Sequence, residues 1–471
     1  MTSSMRTYPT ECLLVAFLAA CGGSGGNGGG DADVVDIPAD RDVDAAGDDG
    51  PVLTCNPGSE RCDGTEHVRC SSDGMRWEAD PCASAERCDA ATGACLCASG
   101  ETSVSGRVFF PNGTDPVSKA LVYVPKGEPD VLPASPACVV CRDAADVVAA
   151  TTTDATGAFT LSGIPSSGLL VVEKGYFRRI VELEVAPCTA TELDAESLRL
   201  PRNRSEGNIP NIAVVKGEWD RLEDVLGRVG LETGQFDVVD ESCSIVPECD
   251  SRQLLLTLET MMSYHMIFIN CGAMSEDLLL ADHTKNRVAA NMLAYTRAGG
   301  RVYITDESYD FVEQSFPGFL DFAGCDTVPD AEAEDLDCAQ CGEAVSVAVP
   351  GRVLDADLAA WLAGLGFGTG GSVELWGFLK GWVAIDHGPD DASLPRIDDR
   401  LVVWVEGDVS AGQGCLTGTR PMMVTVDVEC GKVLFTSFHT VHGSTDVTVQ
   451  EKILEYLVFE LGSCFEEIIP V

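Results

Sequence analysis

The sequence predicts a multidomain protein: a small disulfide-rich module, then an all-β domain, then a doubly wound α/β domain. The chain has 471 residues, more than a single hydrophobic core usually serves. Seven of its 21 cysteines fall within residues 53–99. Beyond them, short alternating strands give way near residue 201 to strands that alternate with helices.

The composition is that of a folded protein with a strongly acidic surface. Hydrophobic residues make up 45% and charged residues 23%, which is ordinary globular usage. The chain has 31 Lys and Arg residues and 75 Asp and Glu residues, which gives a net charge of −44. Such a charge repels phosphate backbones, so we expect no nucleic-acid partner. The charge alone identifies no ligand.

The first twenty residues indicate export. An apolar run over residues 12–20 ends in the letters LAAC at Cys21, and it is too short to span a bilayer. Residues 1–20 are therefore predicted to be a cleaved signal peptide. LAAC resembles the lipobox of bacterial lipoproteins, which implies that Cys21 is acylated and anchors the chain in the membrane. Gly22 after it implies the outer membrane. The alternatives are an ordinary signal peptide or a misassigned start codon.

The segment that follows is predicted to be a disordered tether. Residues 21–52 are rich first in Gly and then in Asp, with almost no large apolar side chains. Glycine supplies flexibility, and the mutually repelling aspartates extend the strand. We therefore expect the folded part to stand clear of the membrane, periplasmic or surface-exposed.

Residues 53–99 are predicted to form a cysteine-rich module held together by disulfides, because so short a segment can barely build a core. The stretch CNPGSERCDGTEHVRCSSDGMRWEADPC resembles cysteine-rich modules of secreted myxobacterial proteins. Zinc ligation by the cysteines is the alternative, although CxxC and HxxxH spacings are missing from this module.

Eighteen cysteines are candidates for disulfides. Without Cys12 and the lipidated Cys21, 19 cysteines remain, and we expect Cys271 to be unpaired. Ten precede residue 201, so one bridge should join the module to the β domain, while the later cysteines pair among themselves. The candidates are Cys55, Cys62, Cys70, Cys82, Cys88, Cys95, Cys97, Cys138, Cys141, Cys188, Cys243, Cys249, Cys325, Cys338, Cys341, Cys415, Cys430 and Cys464.

Residues 100–201 have the pattern of short β-strands. Apolar alternation over 104–110, 120–124, 158–161 and 169–173 is separated by turn residues. The run TTTDATGAFTLSGIPSSGLLVVEKGYFRRIVELEV resembles the carboxypeptidase regulatory-like domain. That resemblance implies a transthyretin-like β-sandwich that packs beside other domains and has no active site of its own.

Residues 202–471 alternate strands with helices, which predicts a doubly wound parallel sheet. A capping box, Thr448 to Glu451, should open the last helix. The segments AYTRAGGRVYITDES and GKVLFTSFH resemble class I glutamine amidotransferase-like (flavodoxin-like) folds. Predicted strands are 212–215, 264–270, 301–305, 373–378 and 432–438; predicted helices are 219–229, 285–297 and 358–365.

The amidotransferase resemblance places a nucleophilic cysteine just after the strand 301–305. This chain has Asp306, Glu307 and Ser308 there, and a carboxylate cannot form the thioester that such chemistry needs. We therefore expect no catalytic residue of this kind. Cys271 is the only cysteine that could substitute, but its apolar surroundings favour a buried, inert thiol.

Two further motifs have structural interpretations. The CxxC pairs Cys138–Cys141 and Cys338–Cys341 could bind zinc or exchange disulfides, but an oxidising compartment favours structural disulfides. Gly366, Gly368 and Gly371 satisfy GxGxxG. Because this loop follows a helix and precedes a strand, the reverse of a dinucleotide site, we interpret it as a plain loop.

The carboxyl ends of two strands carry a candidate metal site. Asp306 and Glu307 follow one strand, and His439 and His442 follow another. If the strands are neighbours, these side chains could surround a divalent cation. The alternative is that they only cap helices and shape turns.

The sequence favours an envelope binding or adhesion lipoprotein with a protein or carbohydrate ligand and no cofactor. A metal-dependent hydrolase using the carboxylates and histidines above is the alternative. A structural protein of a larger envelope assembly is a third possibility. The sequence does not identify the ligand.

Overall fold

A computed structural model describes most of the chain beyond residue 53. Cys21, the predicted signal peptide and the predicted tether lie outside the described residues. No helix in the described part is long and apolar enough to cross a membrane. The described residues are 54–98, 100–138, 146–239, 250–272, 285–316, 319–323, 339, 347–378, 382–387, 401–412, 416–438, 440 and 447–460.

The described strands and helices are numbered here in chain order. The strands are β1 Glu60–Asp63, β2 Glu66–Cys70, β3 Trp77–Ala79, β4 Glu86–Cys88, β5 Cys95–Cys97, β6 Ser103–Arg107, β7 Leu121–Pro125, β8 Val147–Thr152, β9 Ala158–Ser162, β10 Ser167–Lys174, β11 Phe177–Glu184, β12 Ala190–Glu192, β13 Ile212–Val215, β14 Asp237–Val239, β15 Met266–Ile269, β16 Arg301–Thr305, β17 Asp321–Phe322, β18 Val347–Val353, β19 Ser372–Phe378, β20 Ile385–His387, β21 Leu401–Asp408, β22 Thr419–Val428 and β23 Gly431–Thr436. The α-helices are α1 Ala195–Leu198, α2 Leu222–Arg228, α3 Asp250–Leu256, α4 Leu258–Met261, α5 Lys285–Arg297, α6 Asp310–Ser315, α7 Ala356–Gly364 and α8 Val449–Glu460.

The cysteine-rich module is a small disulfide-bonded unit, as predicted. It consists of the sheet β1-β2-β3 and the hairpin β4-β5. A fourth bridge, Cys97–Cys188, joins the module to the following β region, as the cysteine count predicts. All seven module cysteines are therefore in disulfides, which leaves no thiolate for zinc. The bridges within the module are Cys55–Cys70, Cys62–Cys88 and Cys82–Cys95.

The β region beyond the module has two sheets that share one core. Their strand orders are β11-β10-β7-β8 and β12-β6-β9. Buried side chains of both sheets, such as Val122 and Leu161, belong to the same hydrophobic cluster. The turn before β9 is held by Asp154, whose Oδ1 accepts hydrogen bonds from the N–H groups of Thr156 and Ala158. Gly157 is required there, because a Cβ would lie 2.4 Å from the carbonyl oxygen of Val108.

The C-terminal region is built on a nine-stranded sheet of order β14-β13-β15-β16-β23-β22-β21-β18-β19. The first five strands are parallel, whereas the last four add to them in antiparallel fashion. The sequence pattern predicts a parallel sheet, whereas the observed sheet is mixed. The length of the connections between strands explains this difference. Only two residues separate β22 from β23, and so short a turn can join only antiparallel strands. Glu429 in this turn has a φ of 52°.

Helices cover both faces of this sheet. Residues of α2, α7 and α8 belong to the cluster that also includes the core of the β region, whereas residues of α3, α5 and α6 form a second cluster. The ring of Phe110 lies 5.9 Å from that of Trp361 and 4.6 Å from that of Phe459. The Nε1–H of Trp361 donates to the carbonyl of Pro116. The β region and the sheet therefore share a continuous core.

A disulfide between Cys138 and Cys430 also joins these two regions. The prediction that Cys138 pairs before residue 201, within its CxxC motif, is therefore wrong. The prediction that the later cysteines pair among themselves is also wrong for Cys430. The reason is proximity in the fold: a Cβ on Gly299 would lie 2.2 Å from the carbonyl oxygen of Ala137, and one on Gly431 2.3 Å from that of Gly300. Seven more candidates lie outside the described residues together with Cys141: Cys243, Cys249, Cys325, Cys338, Cys341, Cys415 and Cys464.

Candidate functional site

The carboxyl ends of four neighbouring parallel strands bring buried polar residues to one edge. The strands β13, β15, β16 and β23 are adjacent in that order. Asn270 follows β15, Asp306 follows β16 and Ser437 follows β23, while Asp220 lies a few residues beyond β13. All four side chains are buried. In open α/β sheets, ligands bind at this edge, and we call it the carboxyl edge.

Asp306 has a conformation that L-residues rarely adopt. Its φ is 42°, and it begins the short 3-10 turn Asp306–Ser308 between β16 and α6. Its Oδ1 accepts a 2.7 Å hydrogen bond from the N–H of Val383, and the Ser308 hydroxyl donates to the carbonyl of Asn270. Strained turns of this kind cluster at active and binding sites. This is the position where the amidotransferase resemblance implies a nucleophile.

Cys271 is a buried thiol, as predicted. It is 1% exposed, and its Sγ lies 3.8 Å from Oδ2 of Asp306. Burial raises the pKa of Cys271 well above its usual value, and the charges of Asp306 and Asp220 raise it further. The loop after β13 covers it, since a Cβ on Gly217 would lie 2.1 Å from the Cys271 carbonyl oxygen. Cys271 is therefore protonated and inaccessible, which is the opposite of a reactive thiol.

Asp220 ties two loops of the edge together. Its side chain is fully buried. Its Oδ1 accepts hydrogen bonds from the N–H of Arg221 and from both the N–H and the hydroxyl of Thr440. The loop after β13 is thus fixed to the chain beyond β23. Sequence reasoning missed Asp220, because it lies in a loop with no periodic pattern.

Several buried polar atoms of this edge have no hydrogen-bond partner among the residues that the structure describes. Such groups are uncommon in proteins, because each costs about 1–3 kcal/mol in lost hydration. The set includes acceptors, a donor and two hydroxyls, so it offers a ligand both roles. The atoms are Oδ2 of Asp220, Oδ1 of Asn270, Oγ1 of Thr305, Nε1 of Trp382 and Oγ of Ser437.

Sequence reasoning also missed the other four residues of this set. Asn270 and Ser437 fall at the ends of predicted strands, where the same signal that selected Asp306 would have found them. Thr305 is the last residue of β16, and its residue type is common in strands, so the sequence gives no sign of a site there. Trp382 reads as a core residue, and only its position beside Val383, which binds Asp306, brings it to the edge.

The predicted metal ligands are only partly described. Asp306 is buried, and Glu307 is partly buried. The two strands that precede the predicted ligands are neighbours, since β16 and β23 pair in parallel up to Thr305 and Thr436. His439 and His442 lie outside the described residues. The glycine-rich stretch connects α7 to β19, with Gly366, Gly368 and Gly371 at positive φ, as expected for a turn rather than a dinucleotide site.

Comparisons with known proteins give low similarity. No family model matches the chain, and no curated protein matches it. Among solved structures, the cytoplasmic protein STM3548 of Salmonella typhimurium is 10% identical with a TM-score of 0.29, over 54% of this chain and 98% of that one. A ThuA-like protein from Parabacteroides merdae is 14% identical with a TM-score of 0.31, over 55% and 92%. The cytoplasmic protein STM1381 of Salmonella typhimurium is 14% identical with a TM-score of 0.27, over 54% and 97%. Likeness at this level assigns no activity to the chain.

Proposed function

We propose that this protein is an envelope-anchored binding protein whose ligand site is the carboxyl edge, and that this site does not catalyse a reaction. The observation that carries the proposal is the set of buried polar atoms there that lack hydrogen-bond partners in the described part of the chain. These atoms are buried in the unliganded chain, so a ligand reaches them only if the edge opens on binding. A ligand that paired with them would then recover the hydration that folding removed. The edge is also where open α/β sheets bind ligands.

Binding is favoured over catalysis by the two residues nearest the position implied for a nucleophile. Asp306 holds that position, and its carboxylate oxygens face the Val383 N–H and the Cys271 thiol. Cys271 is protonated, because burial raises its pKa. Covalent catalysis needs an activated nucleophile, and neither residue provides one.

The ligand class that fits best is a carbohydrate. Sugar hydroxyls both donate and accept, which matches an edge with the acceptors of Asp220 and Asn270 and the hydroxyls of Thr305 and Ser437. Trp219 adds an indole that is 45% exposed. Its Cδ1 lies 2.5 Å from the place where a Cβ on Gly272 would stand, so the ring borders the same edge. Exposed aromatic rings supply apolar contact beside polar groups.

The finer domain assignments are part of this proposal. Residues 100–201 are a carboxypeptidase regulatory-like β-sandwich, supported by two sheets with one common core. Residues 202–471 are an amidotransferase-like doubly wound domain, supported by five parallel strands between two helix layers. The shared core and the bridge Cys138–Cys430 make the two a rigid platform for the site.

The binding proposal is tested with the full-length chain and a panel of neutral oligosaccharides in calorimetric titration. A Thr305→Val, Ser437→Ala double variant removes two hydroxyls that have no hydrogen-bond partner among the described residues. The fold should therefore persist while affinity falls at least about tenfold. Thr425→Val is the control, because that hydroxyl already accepts from Nε1 of Trp404. If no sugar binds, or if the double variant binds as tightly as the wild type, the proposal is wrong.

Membrane anchoring through Cys21 is the second part of the proposal. Cells expressing the full chain are labelled with a fatty-acid analogue, and the label should appear on the protein and in the outer-membrane fraction. A Cys21→Ala variant should lose both. Unchanged labelling of this variant contradicts the anchor.

A metal-dependent hydrolase is the second candidate. It is favoured by the pairing of β16 with β23, which places Asp306 and Glu307 beside the strand that precedes His439. Calorimetric titration with zinc, calcium and manganese tests it. Binding that disappears in a Glu307→Gln, His439→Ala double variant supports this candidate, whereas ion binding unaffected by the substitutions eliminates it.

A further inference from the structure

A cluster of one histidine and two carboxylates lies in the cysteine-rich module, far from the residues of the carboxyl edge in sequence. The pairing of β1 with β2 sets Glu60 opposite Arg69 and Cys62 opposite His67. Asp80 directly follows β3, and its N–H donates to the carbonyl of His67. The module's disulfides fix these strands, so the cluster is held in place.

The hydrogen bonding of His67 determines which ring nitrogen can be a ligand. The side chain is 4% exposed, and its Nδ1 lies 2.7 Å from the carbonyl oxygen of Asp80. A carbonyl oxygen only accepts, so Nδ1 carries a proton. In the neutral ring, Nε2 therefore presents its lone pair. This arrangement, with one ring N–H held by a backbone carbonyl, is the usual one for metal-binding histidines.

Within the described part of the chain, the Nε2 atom of His67 has no hydrogen-bond partner, yet it faces a carboxylate. Oε2 of Glu60 lies 3.5 Å away, and two lone-pair-bearing atoms at this distance repel unless a proton or a metal ion lies between them. In a tetrahedral zinc site with bonds of about 2.0–2.1 Å, neighbouring ligand atoms are about 3.3–3.4 Å apart. The observed separation matches that geometry.

Asp80 and Arg69 complete the arrangement. One ligand atom from each of Glu60, His67 and Asp80 lies within 4.8 Å of the others, and Oδ2 of Asp80 lies 3.7 Å from Nδ1 of His67. Arg69 holds the other oxygen of Glu60, with Nη2 2.6 Å from Oε1, and its Nε lies 3.3 Å from Oδ2 of Asp80. The guanidinium thus orients both carboxylates and leaves Oε2 of Glu60 directed at His67. Partners of this kind position metal ligands.

We propose that Glu60, His67 and Asp80 bind a Zn²⁺ ion through Nε2 of the histidine and one oxygen of each carboxylate. Imidazole with carboxylates is a ligand set that zinc accepts. Three protein ligands leave a fourth position open at the surface of the module. A ligand atom from another molecule can occupy it, so the ion would serve as a contact point for a partner.

Calorimetric titration of the full-length, disulfide-intact chain with Zn²⁺ tests the site. His67→Asn removes Nε2 but keeps an N–H near the Asp80 carbonyl, and Glu60→Gln changes an exposed ligand with little risk to folding. Each should weaken binding at least about tenfold, as loss of even an outer partner does in known sites. Glu66→Gln is the control, because Glu66 lies on β2 outside the cluster.

The proposal fails if the wild type takes up no zinc, or if both variants bind zinc as the wild type does, since the ion then lies elsewhere. It also fails if nitrogen NMR shows Nε2 of His67 protonated at neutral pH in the presence of zinc, because an imidazolium then pairs with Glu60. Zinc displacing that proton, together with weaker binding in both variants, supports the site.

Discussion

Lys174 and Glu460 form an ion pair in which both side chains are almost completely buried, at 3% and 4% exposure. Lys174 ends β10, and Glu460 ends α8. The pair therefore crosses the junction between the β region and the nine-stranded sheet. Burial lowers the pKa of Lys174, and the charge of Glu460 opposes that effect. The carboxylate of Glu460 therefore favours the charged form of this lysine.

Removing one partner of this pair should strongly destabilise the protein. Lys174→Met leaves a buried carboxylate without its cation, so we expect the free energy of unfolding to fall by about 3–5 kcal/mol. A Lys174→Met, Glu460→Leu double variant replaces the pair with apolar side chains and should recover most of that loss. Urea unfolding measures the free energy of unfolding of the wild type, the single variant and the double variant.

The control for this prediction is a second ion pair across the same junction. Lys119 and Asp357 pair while 45% and 46% exposed, so Lys119→Met should cost less than about 1 kcal/mol. Equal losses in Lys119→Met and Lys174→Met would contradict the importance of burial.

The titration of Glu455 should make the stability of the protein depend on pH. Burial raises its pKa to about 8, although the Lys452 ammonium acts in the opposite direction. Unfolded, a glutamate titrates near 4.3. Between about pH 4.3 and 8 the folded protein holds a proton that the unfolded chain has released. Stability therefore falls as pH rises through this window, by at most about 1.4 kcal/mol per pH unit.

Glu455→Gln should remove this part of the pH dependence, because the amide does not titrate. Thermal unfolding from pH 5 to 8.5 would show a shallower decline in the variant than in the wild type. Glu429→Gln is the matched control: Glu429 is 59% exposed and pairs with Arg297 at the surface. A slope that Glu455→Gln leaves unchanged contradicts the assignment.

Local patterns predicted much of the fold. Ile212–Val215, Arg301–Thr305 and Lys285–Arg297 have the predicted bounds, because hydrophobic periodicity is set by neighbouring residues. The capping box is also confirmed: the N–H of Thr448 donates to Oε2 of Glu451, and the N–H of Glu451 to the Thr448 hydroxyl. These features need no knowledge of distant contacts.

Long-range relationships could not be predicted from local patterns. Cys138 and Cys430 are 292 residues apart in sequence, and spacing carries no information on which loops meet. Whether the side chain of Asn270 or Ser437 finds a hydrogen-bond partner likewise depends on what surrounds it in the fold. The positions of Asp306, Asn270 and Ser437 at strand ends have a sequence signal, whereas their buried surroundings do not.

Peptide mapping under non-reducing conditions should find Cys138 linked to Cys430. This bridge closes a long loop, so a Cys138→Ser, Cys430→Ser double variant should lose about 2–5 kcal/mol of stability. Cys97–Cys188, which closes a shorter loop, is the reference bridge. Finding Cys138 linked to Cys141 instead would contradict the structure at this junction.

Cys271 should resist alkylation in the native protein. Its thiol is buried and protonated, since burial raises its pKa, and iodoacetamide reacts with thiolates. Mass spectrometry should detect modification only after denaturation in urea. Rapid modification of Cys271 in the folded chain would show an accessible thiolate and would reopen the catalytic alternative.

The hydroxyls of Thr305 and Ser437 should cost stability in the absence of ligand. Both are fully buried, and neither has a hydrogen-bond partner among the described residues. Thr305→Val and Ser437→Ala therefore remove a desolvated group without breaking a bond seen there. We expect each to raise the free energy of unfolding by about 1 kcal/mol. Binding sites commonly carry such a cost, because the ligand supplies the missing partner.

Thr436→Val provides the contrast one residue from Ser437. The Thr436 hydroxyl donates to the carbonyl of Phe438 at 2.7 Å and lies 3.0 Å from the hydroxyl of Tyr303. Its removal leaves partners unsatisfied in the core and should lower stability by about 1–3 kcal/mol. Urea unfolding without added sugar compares the three variants. If Thr305→Val destabilises the chain as much as Thr436→Val, its hydroxyl already has a partner, and the carboxyl edge loses its main support as a binding site.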